Sequence, residues 1–140
     1  MLIVGNQAPD FNLKGVWQGT ASSYSIRDYR GKWLILFFYP ADFTFICPTE
    51  VSGFSNLAGA FRAEEAEILG VSVDSVASHV KWSEELGGVS YPLLSDEDKS
   101  VSRLYGVLDE NEGVCLRATF IVNPNGEITY VVVSHTNVGR

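Results

Sequence analysis

The segment FFYPADFTFICPTE, residues 37–50, sets a cysteine between an apolar run and the residues that open a helix. Pro48 follows Cys47 directly. Proline is favoured at the first helical position and biases the residue before it to extended backbone. Cys47 is therefore expected at an N-cap, with the free N–H groups of Thr49 and Glu50 turned towards its sulfur. Partial positive charge at a helix start favours an anion, so the spacing predicts a thiol that ionises readily. A thiol of pKa about 8.5 is only ~3% thiolate at neutral pH; complete ionisation gains roughly 30-fold, or about 2 kcal/mol. Larger accelerations need groups aimed at charge that develops in the transition state. Thr44 and an arginine from elsewhere in the chain are the candidates.

Three other roles compete for Cys47. A free cysteine is often a small, inert core residue, but Thr-x-x-Cys-Pro between a strand and a helix argues for reactivity. A C-x-x-C redox pair fails on one position, because the third residue after Cys47 is Glu50. A zinc site would have to draw on Cys47, Cys115, His79 and His135, none of which has ligand spacing. Neither histidine matches a motif.

The elements that must hold this segment are legible from hydrophobic pattern. WLILFFY (33–39) is a continuous apolar run, the pattern of a strand buried on both faces. EILGVSV (67–73), RATFIVN (117–123) and EITYVVV (127–133) read as further strands. The last two flank NPNG (123–126), which predicts an antiparallel hairpin. After Pro48, Val51, Phe54, Leu57, Ala58 and Phe61 recur at helical spacing. Ser78 to Leu86 reads as a second helix stopped by Gly87-Gly88, and SDED (95–98) as a capping box before a third that runs to Tyr105. This order implies an α/β protein, with a central mixed sheet covered by helices on both faces.

The chain of 140 residues has the size of one domain, without internal repeat or linker. Ten Lys plus Arg against 17 Asp plus Glu give a net charge of -7. That balance argues against nucleic acid or an anionic membrane as the main partner. No signal peptide is visible, and no apolar run is long enough to span a bilayer. With only two cysteines, a reducing cytoplasm is the expected setting.

FYPADFTFICPTE closely resembles the active-site segment of the typical 2-Cys peroxiredoxins, the group that includes the peroxidase subunit of bacterial alkyl hydroperoxide reductase. Its P-x-x-x-T-x-x-C core is Pro40, Thr44 and Cys47. APDF (8–11), GVSVDS (70–75) with Trp82, YPLLSD (91–96), RATFIVNPNGEI (117–128) and NVGR (137–140) resemble other family segments in the same order. The resemblance implies a single thioredoxin-like domain over 1–140. It implies reduction of hydrogen peroxide and organic hydroperoxides without metal or organic cofactor. It assigns Cys47 as the peroxidatic nucleophile, with Thr44 bonded to the reacting atoms. Pro40 would shield the sulfur and Arg117 stabilise thiolate and transition state. Glu50 and Arg140 match a supporting carboxylate and arginine, and Trp82 a residue around the pocket. A thioredoxin-like or flavoprotein disulfide reductase would recycle the enzyme, which would form a homodimer or a ring of dimers.

Typical members continue past VGR through a helix into a tail that carries a resolving cysteine. The sequence stops at Arg140, and a shortened chain is the preferred reading over an enzyme with one working cysteine. Cys115, two residues before Arg117 on an extended segment, is expected to share Arg117's face. It is either an unusual resolving thiol or, as preferred, a small buried residue.

Overall fold

The computed structural model describes residues 3–42, 66–89 and 91–134. Among these residues, seven strands form one mixed sheet: β1 (Asn12–Trp17), β2 (Thr20–Ser25), β3 (Trp33–Phe38), β4 (Ala66–Ser72), β5 (Leu93–Ser95), β8 (Arg117–Val122) and β9 (Ile128–Ser134). Their spatial order is β2-β1-β5-β4-β3-β8-β9. The central β5, β4 and β3 are mutually parallel, and antiparallel neighbours flank them on both sides. A short ribbon of β6 (Leu108–Asp109) and β7 (Val114–Cys115) stands apart.

Alternation along the central strands divides the apolar side chains between two cores. Leu34, Leu36, Phe38, Leu69, Val71, Leu94, Ala118 and Phe120 enter the first. Phe37, Ile68 and Leu93 enter the second, where Val16, Tyr39, Tyr91 and Trp82 join them. Strands buried on both faces need no polar alternation, which is why 33–39 is apolar throughout. Gly70 is required on the second face, because a Cβ there would come within 2.7 Å of the Phe37 ring.

Helices cover both faces, as the sequence predicts. Helix α1 (Val76–Glu85) brings His79 and Trp82 to the second core, and α2 (Ser100–Leu104) brings Val101 to the first. Ser75 caps α1 by accepting from Ser78 N–H at 3.1 Å, so the helix starts earlier than its apolar spacing suggests. Gly87 ends it with φ of +78°, a conformation that costs glycine nothing. The β8–β9 hairpin forms as expected, with the Asn123 side chain accepting from the N–H groups of Asn125 and Glu127.

One expectation about the fold needs correction. The SDED capping box does not form: α2 begins after Lys99, and Asp96 accepts from the N–H groups of Val101 and Ser102 at 3.2 and 2.7 Å. Asp96 is buried and its side chain reaches this helix start, whereas Ser95 occupies a strand position in β5. The β1–β2 hairpin and β5 were also absent from the sequence reading. The apolar repeat at 51–61 lies outside the described residues.

Candidate active site

The segment that leads to Cys47 leaves the carboxyl end of β3. Tyr39 N–H donates to Val71 O at 3.0 Å, so the chain still follows β4 for one residue. Pro40, which has no N–H to satisfy, is buried next to it. Asp42, also buried, is held by its backbone: its N–H donates to Asp74 Oδ2 at 2.8 Å, and that oxygen accepts from Ser72 Oγ at 2.7 Å.

Arg117 comes to the same end of the sheet from the neighbouring strand. The antiparallel register pairs Phe38 with Ala118, so one step further sets Arg117 across from Tyr39. Ala118 points into the first core, and alternation turns Arg117 towards the second face. Its side chain is only 3% exposed, which leaves a guanidinium inside the protein rather than on a solvated surface. The structure thus places Pro40 and Arg117 at the same end of the sheet, at the root of the cysteine segment. Cys47, Thr44, Glu50 and Arg140 lie outside the described residues.

Trp82 is placed by packing. It is 2% exposed, and its ring lies 5.6 Å from that of Tyr39, centroid to centroid. It packs against the ring of the residue that precedes Pro40.

Cys115 does not share Arg117's face. Its strand belongs to the separate ribbon, paired with Leu108, and Leu116 interrupts the extended run before β8 begins. Cys115 packs in the first core with Ala118 and Phe120. It is fully buried, and its sulfur lies 3.1 Å from Ser102 Oγ. The single hydroxyl proton of Ser102 serves the Asp96 carboxylate at 2.6 Å, so the thiol is the donor to Ser102. Burial pushes this thiol up to about 12, the opposite of what a redox-active cysteine needs.

The AhpC/TSA family profile matches residues 4–131. The chain belongs to the AhpC/TSA family. It is 46% identical, over 99% of its length, to a protein described as a putative peroxiredoxin in the rubredoxin operon of Clostridium pasteurianum, and spans 82% of that protein. It is 44% identical to the chloroplastic 2-Cys peroxiredoxin BAS1 of Spinacia oleracea, of which it spans 55%. The crystal structure of Enterococcus faecalis AhpC superposes on all of the chain with a TM-score of 0.95 at 36% identity, and the chain covers 86% of it. This AhpC/TSA member has the thioredoxin-like fold and is a peroxiredoxin-type enzyme. No helix among the described residues is long and apolar enough to cross a membrane.

Sequence reasoning passed over one feature next to the site. His79 is fully buried, with Nδ1 2.7 Å from Asp42 Oδ2 and Nε2 2.9 Å from Leu94 O. Tyr39 Oη donates to the other carboxylate oxygen of Asp42 at 2.7 Å. Burial and the neighbouring Asp42 charge hold the Tyr39 phenol well above its ordinary range, so it remains a donor. The available signal was position: His79 falls within the apolar stripe of α1 that includes Val76, Val80 and Trp82.

Proposed function

We propose that the chain is a thiol-dependent peroxidase of hydrogen peroxide and organic hydroperoxides, with Cys47 as nucleophile. The observation that supports this reading is the placement of a buried Arg117 at the end of β3, where the Pro-x-x-x-Thr-x-x-Cys segment departs. A guanidinium in a poorly hydrated site stabilises an anion far more than it would in water, and the reaction needs that help twice. It favours the Cys47 thiolate before attack, and it steadies the alkoxide as the O–O bond breaks. The sulfur attacks one peroxide oxygen and bonds to it. The other oxygen leaves with the electron pair and takes a proton to give an alcohol or water. Sulfur is oxidised by two electrons to a sulfenic acid, and the peroxide is reduced by the same two.

Thr44 is assigned to hydrogen-bond the reacting oxygens, and Pro40 to keep water from the sulfur. Glu50 and Arg140 are assigned to orient the guanidinium. The sulfenic acid then condenses with a second thiol, releasing water, and a dithiol of a thioredoxin-like or flavoprotein disulfide reductase restores Cys47. Cys115, buried and protonated in the first core, is read as a packing residue outside this cycle. Assembly as a homodimer follows the family pattern.

Peroxide consumption in the presence of a small thiol tests the reading. Cys47→Ser should fall to the uncatalysed background, while Cys115→Ala should retain the wild-type rate. Equal rates for wild type and Cys47→Ser would remove the enzyme assignment.

A further inference from the structure

The carbonyl of Leu94 can only accept, so the 2.9 Å contact from His79 Nε2 requires a proton on that nitrogen. The other ring nitrogen faces Asp42 Oδ2, which also accepts from Ser78 Oγ at 2.9 Å. Oδ1 accepts from Tyr39. Tyr39, Ser78 and His79 thus converge on one buried carboxyl group. Both side chains are completely buried, so the imidazole and the carboxyl group face each other with a phenol and a hydroxyl completing the carboxyl's partners.

The places these groups occupy in the chain matter as much as their hydrogen bonds. Asp42 belongs to the stretch leaving β3, five residues before Cys47. Ser78 and His79 belong to the first turn of α1, and Asp74, which holds the Asp42 N–H, follows the end of β4. The side chain and main chain of one residue are thereby tied to two different elements.

We propose that the buried Asp42–His79 pair, completed by Tyr39 and Ser78, is a positioning device that fixes the chain between β3 and Cys47. The rate at which Cys47 attacks peroxide then depends on the pair. This rests on the peroxidase reading above. In this role both act through the backbone that leads to Thr44 and Cys47. Displacement along a reaction axis is tolerated poorly, and a shift of about 1 Å can cost roughly 100-fold in rate.

A role in stability alone is the rival, and one substitution separates the two. Apolar side chains of similar volume often replace a buried polar pair without loss of stability, whereas removal of one partner strands the other. The full chain is compared as wild type, His79→Leu, and the double variant Asp42→Val with His79→Leu. Thermal midpoint and the second-order rate with hydrogen peroxide are measured at a temperature where each is folded. His79→Leu should react about 10- to 100-fold more slowly. The double variant should regain the midpoint and stay slow. A wild-type rate in either variant overturns the proposal.

Should the double variant not fold, Asp42→Asn keeps the shape and replaces one carboxyl oxygen by an amide nitrogen. It should slow peroxide reduction and alter the pH profile of Cys47 alkylation; an unchanged rate and profile overturn the proposal. Failure of the peroxidase reading would show separately, as wild-type protein that consumes no peroxide. Hydrogen exchange at the Asp42 N–H then reads the tether alone. Faster exchange in His79→Leu supports positioning, and equal protection overturns it.

Discussion

Asp96 and Asp42 are both buried, one beside each core, yet their donors lie at different distances along the chain. Asp96 accepts from Val101 N–H, Ser102 N–H and Ser102 Oγ, five or six residues away. Its donors are neutral and belong to the start of one short helix, so the group works as a local cap. Asp42 accepts from Tyr39 nearby, but also from Ser78 and His79 on α1, 36 and 37 residues away. A local cap can be rebuilt by neighbouring residues, whereas a buried clamp between two elements has no substitute once either partner is gone.

Removal of His79 is therefore expected to have the largest effect on stability. His79→Ala leaves the buried Asp42 carboxyl group without its imidazole partner, for a loss of about 3–5 kcal/mol in urea unfolding. Asp96→Ala strands two N–H groups and a hydroxyl at a partly adaptable helix start, and should cost about 2–3 kcal/mol. Equal losses in the two variants would erase the distinction between cap and clamp.

The same contrast of local with distant explains what could be read from the sequence. β3, β4 and β8 were legible because burial writes continuous apolar runs, and NPNG marks the turn into β9, an edge strand whose apolar run includes the exposed Tyr130 and Val133. The β1–β2 hairpin was not, because TASSYS in β2 is mostly exposed and carries neither an apolar run nor an alternating one. β5 is three residues long and α2 five, too short for either period to show. At the site, Pro40 and Arg117 were assigned by family resemblance, and the strand register brings them to one end of the sheet. His79 could not be assigned, because a lone histidine has no spacing and its partner is brought to it only by folding. Cys115 was set on the wrong face because strict alternation was carried through Leu116, where the strand breaks.

Cys115 gives a smaller effect that sharpens the first core's side of the comparison. Its folded-state pKa of about 12 stands above the ordinary 9.0, with burial as the main cause. Between those values the unfolded chain has lost the thiol proton and the folded chain has kept it. The folded state then binds more protons, so stability falls as pH rises through this window and is fully present below it. Tyr29 and Tyr105 are raised by burial as well, but from 10.0, so the lower part of the window belongs mainly to the thiol. Cys115→Ala should lose on the order of 1 kcal/mol at neutral pH from lost packing. It should also flatten the decline in unfolding free energy between about pH 9 and 10. A decline identical to wild type would mean that the thiol is not buried as described.

The smallest expected effect concerns Ser95, beside the carboxylate that does cap α2. Were Ser95 the N-cap that its sequence context suggests, Ser95→Ala would cost about 1 kcal/mol. Its hydroxyl is instead buried, with no hydrogen-bond partner among the described residues. A buried, unpaired hydroxyl is itself unfavourable, so its removal should be neutral or raise stability by up to about 1 kcal/mol. The comparison with Asp96→Ala, measured in the same urea titration, then assigns the cap. A loss in Ser95→Ala approaching that of Asp96→Ala would return the capping role to the serine and leave Asp96 as one polar group among several.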